Sequence, residues 1–571
     1  MKIIAKKIKP VFTVYENCSR IGIIATMASR LSGCFLRGKF WEALLKHMKR
    51  FNKVGRFLFL LMFFTYGQTF SSPADKADIP LLKWMGPGSP GTYLDYMRGR
   101  EHKPVSAEEL LILRPNKKRN LNLTAEISNV LILVSPRIYS ELGDKVIRYG
   151  RDLNLQGYEV NLVEYSGGNP ANLRSFIVSR KQNLIGCVFI GDIPVSWYEV
   201  EDDYHEYGYA EFPCDLFFMD LDGQWLDTDG NGMYDLHRDG GGDRMPEIFI
   251  GRIDGSRMEG DEISILGRYF DKNHDYWNGD IYLHQYGLTY TDDDWSGYSD
   301  MLNDISCLYS GNYEAISAPA TDRNDYLENR LKNIKYEYIQ LACHSNSTAH
   351  YFVRNGILDS NQVRNSHPAA LSYNLFCCSA LRFTDHNCLG SSYIFNQGQK
   401  TLSVVGSTKT GSMLEFRYFY QSLHDGDPLG TALKEWFRQI APYDMYDLFW
   451  HYGMSILGDP LLVMISGNSD INPPLQLRGN MQANNSLLMT EYINLLNWDA
   501  NPLNAGKGVV GYRIYLLESN GYSWLCDLHA NEYGFLHRHV DCGEKYVYAV
   551  ASIKNTGEES RPAVLEVFPP D

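Results

Sequence analysis

From Asn129 onward the chain alternates continuous apolar runs with amphipathic stretches, and few folds accommodate that texture. Val130-Leu-Ile-Leu-Val134, Tyr158 to Val163 and Gly186-Cys-Val-Phe-Ile190 read as strands, while Glu141 to Leu155 and Ala171 to Arg180 carry helical spacing. A strand with no polar alternation has both faces buried, so helices must cover both sides of a parallel sheet. The pattern resumes with Pro246 to Arg252, a helix from Gly260 to His274, and strands at Tyr286–Tyr290, Tyr338–Ala342, Ala370–Phe376 and Leu402–Val405, closing near Ser455 to Val463. Gly191-Asp192 ends the third strand in a turn, where such sheets place ligand loops.

The flanks differ. Residues 71–125 are rich in Pro, Gly, Lys and Arg and read as a linker or pro-like segment, with one helical-looking stretch from Ser106 to Leu113. From Asn472 short strands and turns predict an all-β, immunoglobulin-like sandwich over 472–571. Met48 to Arg56 is basic, Phe57 to Phe64 apolar and Thr65 to Ser72 small and polar, the layout of a secretory signal peptide. Residues 1–70 are therefore expected to be an over-called start plus that signal, with translation beginning at Met48 and the product exported. The apolar run is too short for a stable membrane span. Setting aside the 13 basic and 2 acidic residues of 1–70 from the chain's 54 and 68 leaves 41 against 66, a net of −25. Such an acidic body repels nucleic acid and suits cation binding. Nine cysteines follow residue 70, an odd number in an exported chain, and Cys526 with Cys542 could close a disulfide across a hairpin.

Two apolar runs break off at reactive side chains, Ile339-Gln-Leu-Ala-Cys-His344 and Leu371-Ser-Tyr-Asn-Leu-Phe-Cys-Cys378. If adjacent parallel strands end at one sheet edge, imidazole and thiol meet there, as a cysteine hydrolase requires. Small residues follow each, Ser345-Asn346-Ser347 and Ser379-Ala380, leaving room for a substrate backbone and exposing main-chain N–H groups. A third sequence, Asp227-Thr-Asp229-Gly-Asn231-Gly232-Met233-Tyr-Asp235, offers oxygen ligands at the spacing of an EF-hand-like calcium loop. Its twelfth position is Arg238, so a remaining ligand must come from elsewhere, with Asp239 and Asp243 as candidates. Gly406 to Ser412 lacks the Gly-Lys-Ser/Thr ending of a phosphate loop, so nucleotide binding is rejected.

Taken in order, Phe189-Ile-Gly-Asp192-Ile-Pro, Pro246 to Arg252, the strands ending at His344 and Cys378, Val404-Val-Gly-Ser-Thr and Ile456-Leu-Gly-Asp-Pro-Leu resemble the gingipain family of cysteine peptidases, in the caspase-like clan. The resemblance implies a caspase-like α/β fold in two subdomains, 126–275 and 276–468, with a fibronectin type III-like sandwich behind them. It also implies an endopeptidase acting on protein or peptide substrates. His344 would be its general acid/base and Cys378, preceded by Cys377 where the family usually has alanine, its nucleophile. The Cys378 and Ser345 N–H groups would hold the oxyanion, although the family usually has glycine at the position of Ser345. Asp293 is the expected supporting acid, with Asp292 and Asp294 as near substitutes. Ser407, Thr408 and Met413 are expected to wall the specificity pocket, and Asp300 and Asp304 are rival candidates for the pocket acid. The alternative is an inactive peptidase fold used for binding or adhesion at the cell surface.

Overall fold

The structure is a computed structural model that describes residues 79–101, 103–114, 128–278, 281, 285–398, 400–464, 471–485, 490–518, 521–560 and 562–570. The expected signal peptide and Met48 start lie outside them.

Eleven strands form one sheet: β1 (Ser106–Leu113), β2 (Asn129–Val134), β3 (Glu159–Ser166), β4 (Leu184–Ile190), β5 (Phe249–Ile253), β6 (Gly287–Thr291), β7 (Tyr313–Ser317), β8 (Tyr338–Ala342), β9 (Ser372–Phe376), β10 (Ser403–Ser407) and β11 (Met454–Gly458). Their order across the sheet is β1-β3-β2-β4-β5-β11-β10-β9-β8-β6-β7. Only β1 against β3 and β10 against β11 pair antiparallel. The central strands are buried along their whole length, as their unbroken apolar runs require. The stretch Ser106 to Leu113 is a strand and not a helix. Its Leu110-Leu-Ile-Leu113 end lies along β3, with a register shift between Glu109 and Leu111, so pairing at a sheet edge overrides its helical spacing.

Helices α1 (Pro136–Leu155), α2 (Pro170–Val178), α3 (Glu262–Trp277), α4 (Phe416–His424) and α5 (Leu429–Ile440) accompany the sheet. Asp261 caps α3, accepting from Ser264 N at 2.9 Å. α1 and α3 pack together, with Arg148 on Asp271 at 2.7 Å. Two of the motifs that carry the resemblance are structural. Asp459, fully buried after β11, accepts from Tyr149 Oη (2.7 Å), Asn273 Nδ2 (2.9 Å), Trp277 Nε1 (3.0 Å) and Leu461 N (2.9 Å), joining α1, α3 and the sheet. Arg252, at the end of β5, meets the buried Asp215 carboxylate at 2.7 Å, which also accepts from Ser455 Oγ at 2.6 Å. A buried charge is tolerable only when paired and hydrogen-bonded in this way.

The sandwich holds β12 (Leu475–Asn485), β13 (Thr490–Asp499), β14 (Val509–Glu518), β15 (Gly521–His529), β16 (Gly534–Arg538), β17 (Tyr546–Lys554) and β18 (Ala563–Val567), in sheets β12-β13-β16 and β15-β14-β17-β18. Trp498, Tyr512, Ile514, Tyr548 and Val550 fill its core, and Tyr515, Val547 and Val564 pack on Leu155 at the end of α1. Cys526 and Cys542 are both free, so the expected disulfide is not formed. Among the described residues no helix is long and apolar enough to cross a membrane.

Candidate active site

β8 and β9 run parallel in register, Ala342 opposite Phe376. Two residues further on, they deliver His344 and Cys378 to one sheet edge. The chain does not loop freely there: His344–Ser345 pairs with Ala349–Phe352, which pairs in turn with Gly356–Asp359, raising a small three-stranded sheet beside Cys378. Ser345 Oγ donates to the Cys378 carbonyl at 2.7 Å. The hydroxyl that departs from the family's usual glycine thus ties the two strand ends together. Cys378 is buried, its Sγ 3.3 Å from Thr410 Oγ1 and 3.6 Å from Ser379 Oγ. Burial pushes its thiol above the ordinary range, with hydrogen bonds from Thr410 and Ser379 and the Lys409 charge opposing. Ser379 follows with φ +53°, a left-handed conformation that costs a non-glycine residue energy and turns the chain sharply behind the thiol.

The His344 ring packs edge-on against Trp295, centroids 4.8 Å apart. Its Nε2 lies 3.0 Å from Asp294 Oδ2. The carboxylate on the imidazole is therefore that of Asp294 and not, as expected, that of Asp293. Asp293–Trp295 forms one 3-10 turn, in which successive side chains diverge by about 120°, and the turn that buries Trp295 aims Asp294 at the imidazole. Asp292 is buried elsewhere, accepting from Thr321 Oγ1 and from Val353 N at 2.9 Å.

His344 Nδ1 accepts a hydrogen bond from the Lys83 amide at 3.2 Å. Lys83 belongs to a segment that lies across the dyad: Trp84 bridges Ser345, Met85 N donates to Ser345 O (3.1 Å), Asn346 Nδ2 donates to Met85 O (2.7 Å) and Trp295 Nε1 donates to Pro80 O (2.8 Å). Leu82 is fully buried, and Arg382 Nη2 holds the Gly91 carbonyl at 2.6 Å. Residues 80–85 of the region expected to be a linker thus lie over the site, and Tyr93–Met97 beyond them forms a short helix.

Beneath this segment is a cleft of about 580 Å³ whose lining includes Lys83, Trp84, Tyr207, Ser379, Lys409 and Thr410. Of the expected pocket residues, Ser407, Thr408 and Met413 are all buried in the wall. Ser407 Oγ accepts from Lys409 N (3.2 Å), Thr408 Oγ1 donates to Pro213 O (2.6 Å), and Met413 Sδ accepts from Asn374 Nδ2 (3.4 Å). The same loop lines the cleft with Lys409 and Thr410 instead. The Lys409 ammonium is held by Asp203 (2.8 Å) and by the Thr410 and Phe449 carbonyls, and burial lowers its pKa. Neither Asp300 nor Asp304 lines the cleft; Asp304 accepts from Arg417 N at 2.9 Å.

The acidic loop closes on itself. Asp227 accepts from Gly230 N (2.7 Å), Asn231 N (3.1 Å) and Gly232 N (2.9 Å), Asn231 Oδ1 accepts from Met233 N (2.8 Å), and Gly232 makes the turn at φ +97°. Asp239 and Asp243 are engaged elsewhere, with Arg244 and with Met245 N. The extra acid is Glu199, from the hairpin strand Trp197–Asp203; its Oε1 accepts from Asn231 Nδ2 at 2.8 Å, and oxygens of Glu199, Asp229 and Asp235 lie within 4.8 Å of one another. Arg238, at the twelfth position, donates to Gln224 at 2.9 Å; its guanidinium has no lone pair to offer a cation. These carboxylates fit a hard dication with oxygen ligands. No spacing rule reaches from residue 227 back to residue 199, so Glu199 escaped the sequence reading.

The family model of peptidase family C25 matches residues 148–465. The chain belongs to that family. Its C25 region carries both strand ends of the site, and a cysteine peptidase function follows at that level. A solved structure described as a protease aligns over 79% of this chain and 99% of its own length, at 11% identity and a TM-score of 0.46. A fibronectin type III-like protein from Clostridium thermocellum aligns over 18% of this chain and 97% of its own length, at 22% identity and a TM-score of 0.15. No curated protein matches the chain.

Proposed function

We propose that this C25 peptidase is an exported, gingipain-like cysteine endopeptidase held latent by its own residues 79–101. The observation that carries the reading is the delivery of His344 and Cys378 to one edge by the in-register pair β8 and β9, with Asp294 on Nε2 of the ring. An acid on Nε2 leaves Nδ1 to take the thiol proton, and that nitrogen is the one the Lys83 amide caps. Once the segment leaves, Cys378 Sγ attacks the scissile carbonyl and His344 returns the proton to the departing amine. The Cys378 and Ser345 N–H groups hold the oxyanion. Substrate is a protein or peptide, laid where Trp84 and Met85 now pair with Ser345.

Calcium held by Asp227, Asp229, Asn231, the Met233 carbonyl, Asp235 and Glu199 would stiffen the loop that packs on the same segment, because Tyr93 Oη lies against Gly232. The ion takes no part in bond cleavage.

The test is a mixed peptide library incubated with the protein, calcium and reductant, before and after removal of residues up to 101, and again with Cys378→Ala. Cleavage that appears on removal and vanishes with the substitution supports the reading. Cleavage that survives Cys378→Ala overturns the nucleophile, and silence from every form returns the fold to a binding or adhesion role.

A further inference from the structure

The residues immediately before His344 and Cys378 are both cysteines, and the register of β8 and β9 sets them side by side. Cys343 Sγ and Cys377 Sγ are 3.7 Å apart. His350 arrives from the hairpin strand Ala349–Phe352, its Nδ1 3.5 Å from Cys343 Sγ. All three side chains are 0% exposed, and their donor atoms lie within 4.8 Å of one another. The opposite ring nitrogen, Nε2, sits 3.0 Å from Tyr393 Oη, which is itself 3.0 Å from Tyr326 Oη. If Nε2 carries the proton and donates to Tyr393, the lone pair of Nδ1 faces the two sulfurs.

These spacings match a particular polyhedron. Zinc–sulfur bonds of about 2.3 Å and zinc–nitrogen bonds of about 2.05 Å at tetrahedral angles require S···S edges of about 3.8 Å and S···N edges of about 3.5 Å. Two thiolates, a neutral imidazole and a divalent cation sum to zero charge, which suits a site sealed from water, whereas an unpaired buried thiolate would be costly. A disulfide fits less well: it needs the sulfurs at about 2.05 Å and leaves His350 without a role.

We propose that Cys343, Cys377 and His350 bind one thiophilic dication, zinc foremost, beneath the dyad. The Leu341 carbonyl, 3.8 Å from Cys377 Sγ, is an oxygen available to complete the coordination. Binding releases the two thiol protons to solvent and forms two metal–sulfur bonds and one metal–nitrogen bond, with no change of oxidation state. Each thiolate belongs to the residue preceding a member of the dyad, so the ion would clamp the two strand ends at fixed spacing. The site is separate from the acidic loop, whose donors are all oxygen, and it does not depend on the protein cleaving peptides.

The experiment uses the full chain carrying Cys378→Ala, so that the thiol next to Cys377 cannot contribute, reduced, stripped with chelator and kept in excess calcium. Cobalt(II) is titrated in, followed by zinc. The expected result is one equivalent of cobalt bound with thiolate charge-transfer bands and the visible bands of a tetrahedral centre, displaced by one equivalent of zinc. Cys343→Ala and Cys377→Ala should abolish the charge-transfer bands, and Tyr393→Phe should weaken binding about tenfold. X-ray absorption of the zinc form, which needs none of the three ligand substitutions, should count two sulfur neighbours. Cobalt bands without charge transfer, bands that survive Cys343→Ala, a zinc shell of nitrogen and oxygen only, or a Cys343–Cys377 disulfide in the purified protein would each overturn the proposal.

Discussion

Leu82→Ala should switch on the unprocessed chain. Leu82 is fully buried in the segment that crosses the dyad, whereas its neighbour Lys83 is exposed, so Leu82 is the segment's apolar anchor. Truncating a buried leucine costs about 2–5 kcal/mol. The low end applies here, about 2–3 kcal/mol, because a peripheral segment can relax into the space. While the covered form still dominates, the loss goes directly into the equilibrium between covered and open site. At 1.4 kcal/mol per decade the open fraction, and with it kcat/KM, should rise about 30- to 150-fold. The assay is initial-rate cleavage of a fluorogenic peptide by intact protein, with mass spectrometry confirming an uncut N-terminus. The chain lacking residues up to 101 sets the ceiling. Equal rates for Leu82→Ala and the parent, both with intact N-termini and the same thermal midpoint, would refute the latency argument. So would a processed chain no faster than the intact one.

Three further outcomes follow from named contacts. Asp294→Asn in the processed chain should lower kcat about 10- to 100-fold while Asp293→Asn stays near the parent, because of these two carboxylates it is Asp294 that meets the imidazole; equal effects would contradict the assignment. Calcium at a hundredfold excess over its Kd should raise stability by about 2.7 kcal/mol in thermal melts, and Glu199→Gln or Asp229→Asn should erase the gain; an undiminished gain in both would place the ion elsewhere. Glu247 accepts from Leu221 N at 2.6 Å, and burial, with Asp222 and Asp220 nearby, pushes its carboxyl up to about 7. The folded chain therefore keeps a proton that the unfolded chain releases near its ordinary pKa of about 4.3. This stability is fully present below that value and is lost as pH rises through 7. Glu247→Gln should flatten that fall in melting temperature, and an unchanged slope would show that the carboxyl does not titrate there.

The sheet was legible because its strands are buried on both faces and so read as unbroken apolar runs. The meeting of His344 and Cys378 at one sheet edge was legible because each run stops at its reactive residue. What escaped depends on tertiary contact. Three consecutive aspartates look equivalent until the turn that buries Trp295 decides which one faces His344. Glu199 joins the acidic loop from a hairpin about thirty residues upstream. The Pro- and Gly-rich composition of 79–92 resembles a linker because its partners, Ser345, Asn346 and Arg382, lie more than two hundred residues away, beyond any local pattern. Ser407, Thr408 and Met413 stand in the expected loop, but the strand end that carries them turns their side chains into the wall and leaves Lys409 and Thr410 facing the cleft.

Cys377 and Cys378 are adjacent, both are buried, and the pull of Cys343 and His350 against burial holds the Cys377 thiol below its ordinary range while Cys378 is held above it. Electrostatics in the covered form therefore favours Cys377, and the proposed strand-end geometry favours Cys378. Peptide mapping after the processed protein reacts with an electrophilic peptide ketone decides between them. The account predicts a single adduct on Cys378, blocked by substrate and absent in His344→Ala; an adduct on Cys377 would contradict it.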